Sequence, residues 1–175
     1  GHAAALEAIH DSDTHLGMVL AELTRRGVRE KTDVFLVSDH GFSTVERAVD
    51  FTAKLRAQGV KAKMPFHAVA QFKQTPRPGD VLSISVGAST LIYVVNHDAA
   101  IVAGVVEWLQ ENDFTGVILT RRGLPGTFKL SDVWMDSPTP PDIVFSFTSS
   151  NHTNKAGVPG SLASEGRPAG KIGGA

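Results

Sequence analysis

The residues best suited to chemistry are Asp39 and His40, which follow the apolar run Val-Phe-Leu-Val at 34–37 and precede Gly41. Such a run predicts a short strand buried on both faces, as parallel sheets require. Ligands of open α/β sheets bind outside the carboxyl ends of such strands, and Gly41 would let the two neighbouring side chains converge.

A carboxylate oxygen and an imidazole nitrogen are ligands that suit zinc and similar divalent ions. The sequence therefore predicts a metal site where this central strand ends. The alternative is a plain turn in which Asp39 caps the next segment and His40 is merely exposed.

Composition limits the classes of function. The chain has 175 residues, a formal net charge of -1 and no cysteine. This length suits one domain with a core, and the near-neutral charge gives no general attraction to nucleic acid or anionic membrane. The lack of cysteine excludes disulfides, thiolate zinc fingers and cysteine catalysis. No apolar stretch is long enough to span a bilayer.

Helices and strands are predicted to alternate, which is the rhythm of an α/β fold. Apolar residues spaced by three and four from Leu6 to Leu23 predict a first helix that ends near Gly27. The Gly- and Pro-rich residues 160–175 are predicted not to order themselves. Further helices are predicted at 51–58, between Asp50 and Gly59, and at 99–110, after Asp98; strands are predicted at 81–85, 90–95, 117–120, 127–130 and 142–147.

Other polar and aromatic residues have two readings each. His97 follows a strand, where a capping role is favoured over a ligand role. Arg121 and Arg122 follow another strand, where they either meet a phosphate or form a solvated pair before a turn. Trp108 and Trp134 are predicted to pack and not to stack on bases.

A family resemblance rests on residues 38–42, Ser-Asp-His-Gly-Phe. They resemble the Ser-Asp-His-Gly-[Met/Phe] signature of the type I phosphodiesterase/nucleotide pyrophosphatase family, within the alkaline phosphatase superfamily. Residues 8–17 resemble the helix before that signature, with its Asp-x-x-Leu-Gly pattern. The likeness is specific over residues 1–45 and diffuse to about residue 160, where 119–121 and 141–144 resemble weaker family motifs.

The resemblance implies an α/β fold. Its core would be an alkaline phosphatase-like, mainly parallel sheet flanked by helices, with a small inserted α+β cap-like unit. Residues 1–48 would belong to the core, 49–136 to the inserted unit and 137–175 to the return strand and a Gly/Pro-rich loop. The whole would be a single truncated domain, an internal fragment of a longer enzyme.

The resemblance also implies the chemistry. Two divalent ions, zinc in many members, flank a threonine or serine nucleophile, and Asp39 and His40 would hold one ion. Gly1-His2 fits the end of an upstream ligand motif, so His2 would hold the second ion, unless this pair is a non-native terminal remnant. The nucleophile segment has no match in these 175 residues, so the chain alone is expected to bind metal weakly and not to turn over.

The implied function of the parent enzyme is hydrolysis of phosphodiesters or nucleotide pyrophosphates, with a small phosphate ester or nucleotide as substrate. One alternative is a phosphomonoesterase, or a phosphonate or sulfate ester hydrolase, of the same superfamily. Another is a non-catalytic α/β binding module with a vestigial Asp39-His40 pair. Oligomeric state and compartment are not determined by the sequence, although such enzymes are often periplasmic or secreted.

Overall fold

The computed structural model describes residues 3–41, 43–61, 67–69, 76–153 and 157–166. The chain divides into two compact units. One comprises Gly1–Thr44 with His152–Gly160, and the other comprises Val45–Asn151 with Ser161–Ala175. Over the described ranges, no helix combines the length and the hydropathy needed to cross a membrane.

The first unit begins with the predicted helix. α1 (Ala3–Arg25) is followed by a 3-10 turn, Arg29–Lys31. Gly27 has φ +66°, and its N–H donates to the carbonyl oxygen of Thr24 at 2.9 Å, so the predicted glycine C-cap is confirmed. No residue of α1 is buried, and Leu6 on the apolar stripe is 61% exposed. The periodicity predicted the helix correctly, but its apolar face covers no core in the described structure.

The predicted strand at 34–37 is wrong. These residues belong to no strand, and Phe35, Leu36 and Val37 are 84%, 85% and 83% exposed. A strand requires a neighbour to accept and donate its backbone hydrogen bonds, and none of the described strands pairs with this run. The apolar character of the run was read correctly, but burial depends on partners that the described residues do not supply.

The second unit contains a six-stranded mixed sheet in the order β2-β3-β4-β7-β5-β6. The β2–β3 and β5–β6 pairs are parallel, whereas the β3–β4, β4–β7 and β5–β7 pairs are antiparallel. A second sheet has the order β1-β9-β8. The strands are β1 (Thr44–Val49), β2 (His67–Val69), β3 (Asp80–Val86), β4 (Ser89–Val94), β5 (Thr115–Thr120), β6 (Phe128–Lys129), β7 (Ile143–Phe147), β8 (Ser149–Thr153) and β9 (Pro159–Glu165).

The mixed α/β class agrees with the sequence prediction. The three longest ladders of the six-stranded sheet are antiparallel, so a mainly parallel core is not confirmed in the described residues. The division into 1–48, 49–136 and 137–175, with its inserted cap-like unit, stays a prediction.

Two helices of the second unit begin at the predicted caps. α2 (Phe51–Lys61) follows Asp50, whose Oδ1 accepts the Ala53 N–H at 3.0 Å. α3 (Ala99–Gln110) follows Asp98, whose Oδ1 accepts two N–H groups of the first turn. The prediction that Gly59 ends the second helix is wrong, because α2 continues to Lys61.

The core of the second unit is built around an aromatic cluster. Phe51 is fully buried, and its ring centroid lies 4.9 Å from that of Phe145 and 5.8 Å from that of Trp108. Such contacts add to the stabilisation from area burial. The predicted packing role of Trp108 is therefore confirmed, whereas Trp134 is 92% exposed at the end of a 3-10 turn, so its predicted packing is wrong.

The predicted disorder of residues 160–175 is wrong for its first part. β9 (Pro159–Glu165) includes buried Ser161, Ala163 and Ser164. The N–H of Ala163 donates to the Thr148 carbonyl oxygen at 2.9 Å. The small side chains of this strand are therefore buried in the fold. The glycine and proline content of the segment does not predict that burial.

Candidate functional site

Asp39 and His40 face each other. His40 Nε2 lies 3.2 Å from Asp39 Oδ2, and the side chains are 61% and 86% exposed, respectively. The predicted convergence is therefore present, although no strand precedes it. The turn is held by local bonds: the His40 N–H donates to Asp39 Oδ1 at 3.0 Å, and the Ser38 hydroxyl donates to the His40 carbonyl oxygen at 2.7 Å.

The His40 ring has a defined orientation. Its Nδ1 lies 2.9 Å from the Gly41 carbonyl oxygen, which can only accept, so Nδ1 carries the proton. Nε2 is left facing a carboxylate oxygen. Two lone pairs at this distance repel each other, so the arrangement is satisfied when a proton or a cation lies between them. A backbone carbonyl that fixes the far nitrogen is a common feature of metal-binding histidines.

The donor set fits a divalent ion. Two ligands that share one tetrahedral zinc ion, at metal–ligand distances of about 2.0–2.2 Å, lie roughly 3.3–3.6 Å apart. The 3.2 Å between Nε2 and Oδ2 is close to the lower end of this range. Among the residues that the structure describes, no group of three or more His, Cys, Asp or Glu could hold an ion, and His2 lies outside them. The ligand roles of Asp39, His40 and His2 stay predictions.

A second cluster of functional groups lies at one end of the six-stranded sheet. Because β4 and β5 both run antiparallel to β7, their carboxyl ends lie at the edge where β7 begins. Ile143, the first residue of β7, pairs with Ile92 on one side and with Thr120 on the other. Residues just beyond these three strand ends are therefore brought together although they are distant in the chain.

Asp142 is the centre of this cluster. Its side chain is only 4% exposed. Oδ2 accepts the Val94 N–H at 2.8 Å, Oδ1 lies 2.8 Å from His97 Nδ1, and Arg121 Nη1 lies 3.7 Å from Oδ1. A buried carboxylate is costly unless it is paired and hydrogen-bonded, and these three partners meet both conditions. We refer to His97, Arg121 and Asp142 as the sheet-edge triad.

The backbone at His97 is strained. Asn96 and His97 have φ +62° and +52°, in a left-handed region that costs non-glycine residues roughly 1–3 kcal/mol each. Such outliers persist where the surroundings fix them, and the bond from His97 to Asp142 does so here. The predicted preference for a capping role is wrong for His97, because Asp98 caps the helix and the imidazole instead joins the triad.

The triad borders a cavity of about 400 Å³. Its polar lining also includes Arg122 and Thr120, whose Oγ1 accepts the N–H groups of Gly123 and Leu124. Gly123 has φ +67°, and a Cβ there would lie 2.7 Å from Lys129 Cγ, so the loop under the cavity requires glycine. The apolar lining is formed by Ala99, Val102 and Leu124.

Sequence reasoning had identified three of these residues but not their partner. His97, Arg121 and Arg122 are candidates from the sequence, whereas Asp142 belongs to a weaker family motif at 141–144 and to a predicted strand, with no functional role assigned to it. An acid at the start of an apolar strand is the available signal. It does not reveal which distant strand end meets it.

A model of the type I phosphodiesterase / nucleotide pyrophosphatase family matches residues 2–160. The chain belongs to this family. The match includes both the Asp39-His40 turn and the sheet-edge triad, and it confirms the resemblance read from residues 38–42. No curated protein and no solved structure matches the chain. The family acts in phosphodiester and pyrophosphate hydrolysis, so a hydrolase of this type is the functional class that the match supports.

Proposed function

We propose that the protein serves metal-dependent hydrolysis of phosphodiester or nucleotide pyrophosphate bonds, with Asp39 and His40 as ligands of one divalent ion, zinc being the best fit. Family membership supports the reaction class. The observation that carries the metal role is the 3.2 Å approach of His40 Nε2 to Asp39 Oδ2. When bound, such an ion stabilises the negative phosphoryl oxygens and lowers the pKa of a coordinated water.

The chain's own residues would prepare this site. Asp39 supplies a hard, negatively charged oxygen, and His40 supplies a nitrogen whose tautomer is held by the Gly41 carbonyl. The high exposure of both side chains leaves the remaining coordination positions open to further ligands or to substrate. His2 is the proposed ligand of a second ion, and the hydroxyl nucleophile is proposed to come from a segment of the parent enzyme outside these 175 residues.

Zinc titration followed by calorimetry tests the metal role. We expect weak binding by the wild-type chain and at least tenfold weaker binding, about 1.4 kcal/mol or more, for Asp39→Ala and for His40→Ala. Asp11→Ala and His10→Ala are matched controls, because they remove an exposed carboxylate and an exposed imidazole from α1. Equal heats for the site variants and the wild type would rule out the metal role.

Hydrolysis of bis(p-nitrophenyl) phosphate tests the missing nucleophile separately. We expect no turnover by the 175-residue chain with zinc, because hydrolysis also requires the proposed nucleophile. Robust zinc-dependent turnover would overturn that assignment. If Asp39→Ala then abolished the turnover, the metal role of Asp39 would be retained.

A further inference from the structure

We infer that the cavity beside the sheet-edge triad binds a small organic anion, namely a phosphate or phosphonate group carried on an apolar body. This binding site lies wholly within the second unit. It does not depend on the proposed metal role of Asp39 and His40, which belong to the first unit.

The cavity has an excess of positive charge. Arg121 and Arg122 both line it, and among the described residues of the lining Asp142 is the one carboxylate. The Asp142 carboxylate accepts hydrogen bonds through both oxygens and is nearly inaccessible, so its charge offsets that of Arg121 and leaves the charge of Arg122 uncompensated in the described lining. The nearby carboxylate of Asp98 is engaged by the N–H groups of α3. Arg122 has no ion-pair partner in the part of the chain that the structure describes.

Arg121 is pre-positioned for an anion. Its Nη1 lies 2.9 Å and 3.1 Å from the two ring nitrogens of His97, and 3.7 Å from Asp142 Oδ1. Holding a long side chain in place before binding reduces the entropy lost on binding. A guanidinium presents a planar set of N–H donors that matches the oxygens of a phosphate. His97 is then a positioning residue, which acts through the guanidinium that it contacts.

The size and apolar wall of the cavity define the rest of the ligand. About 400 Å³ falls within the range of small-molecule sites, roughly 300–1,000 Å³, and exceeds what an inorganic phosphate would fill. Val102 and Leu124 also line this space. Burial of an apolar group against them would add affinity that a free phosphate lacks.

Phenylphosphonate is a suitable probe, because its carbon–phosphorus bond contains no ester to hydrolyse. We expect saturable shifts of the Val102 and Leu124 methyl signals in NMR titrations without metal, with a dissociation constant at or below about 10 mM. Inorganic phosphate and benzyl alcohol, which carry only the charge or only the ring, are expected to bind at least fivefold more weakly. The inference is wrong if these methyl signals do not shift, or if benzyl alcohol binds as well as phenylphosphonate.

Matched variants separate a specific site from general charge effects. Arg121→Gln and Arg122→Gln are expected to weaken phenylphosphonate binding at least fivefold. Because Arg122 is exposed, the second change is expected to leave folding intact. Arg47→Gln removes the same charge on β1, where Arg47 pairs with Asp113, and is expected to have no effect. An equal loss in Arg47→Gln would overturn the inference. Unchanged binding in Asp39→Ala would show that the result is independent of the proposed metal function.

Discussion

The molecule contains two imidazole–carboxylate pairs that differ in almost every other respect. Asp39 and His40 are neighbours in sequence, lie 3.2 Å apart and are both largely exposed. His97 and Asp142 are 45 residues apart in sequence, lie 2.8 Å apart, and involve a carboxylate that is 4% exposed. The first pair is a motif on a local turn, whereas the second exists only because the end of β4 meets the start of β7.

The comparison shows that recognising a motif in the sequence is different from knowing the structure that surrounds it. A short motif identifies a chemistry because the side chains and a turn are sufficient to bring two ligands together. It says little about the environment, and here the apolar run before the motif is exposed. The sheet edge carries only the weaker motifs at 119–121 and 141–144, yet it has the buried charge, strained backbone and cavity that are typical of binding sites. The Asp39-His40 turn has the specific motif but exposed surroundings, whereas the sheet-edge triad has buried surroundings but a less specific sequence signal.

The largest expected contrast is in stability. Phe145→Ala removes a fully buried ring from the aromatic cluster and is expected to lower the free energy of unfolding by about 3–5 kcal/mol. Phe35→Ala removes a ring that is 84% exposed and is expected to change it by less than about 0.5 kcal/mol. Urea unfolding followed by the fluorescence of buried Trp108 measures both. A loss above 2 kcal/mol in Phe35→Ala would show, on the scale of such substitutions, that the run is buried in solution.

The loss of stability is expected to differ less between variants of Asp142 and Asp39. Asp142→Ala leaves the Val94 N–H buried without its acceptor and should cost about 1–3 kcal/mol of unfolding free energy. Asp39→Ala removes an exposed group and should cost less than about 0.5 kcal/mol. The same urea experiment applies, with Asn at each position to test whether an amide oxygen restores the lost acceptor. Equal losses for the two alanine variants would break the comparison.

Glu165 is an intermediate case between these carboxylates. Burial raises the pKa of the Glu165 carboxyl, the nearby charge of Asp50 acts in the same direction, and the hydrogen bonds from the Phe51 N–H and the Ser85 hydroxyl partly oppose the shift. Because the folded-state pKa exceeds the unfolded one, the folded state binds this proton more tightly. Stability contributed by this group therefore rises as the pH falls through the raised pKa, and ionisation destabilises the fold at neutral pH.

Glu165→Gln is accordingly expected to stabilise the protein at pH 7, because it removes the half-buried charge. Phe51 and Ser85 both donate to one oxygen, Oε2, so an amide oxygen can accept both bonds. The stabilisation should shrink as the pH is lowered through the raised pKa toward the ordinary carboxyl value. Thermal unfolding at several pH values measures it, with the exposed Glu107→Gln as control; a pH-independent difference would contradict the assignment.

Local signals in the sequence predicted α2, α3 and the strands from β3 to β7, but not β1, β2, β8 or β9. α3 spans the predicted residues 99–110, because its apolar spacing and its Asp98 cap are both properties of a few neighbouring residues. The strands from β3 to β7 were located for the same reason. The prediction that Gly59 ends the second helix was wrong because packing of α2 overrides the low helix propensity of one glycine.

Pairing between distant segments could not be predicted. Residues 90–95 contain no signal that they pair antiparallel with 142–147, so the contact of His97 with Asp142 could not be predicted. The predicted burial of residues 34–37 was wrong for the same reason. An apolar run is buried only if a partner strand pairs with it, and the local sequence does not identify such a partner. The motif at 38–42 identified the family correctly because its residues are adjacent in the chain.

The meeting of β4, β5 and β7 also has a consequence for how the cavity comes into being. During synthesis, Arg121 emerges before the Asp142 carboxylate that it contacts, and Asp142 reaches His97 and Arg121 only once β7 has docked between its two neighbours. Contacts of such long sequence separation form late, since the loop between them must close first. Binding of the proposed anion at this edge would therefore indicate that the sheet of the nascent chain has assembled through residue 147.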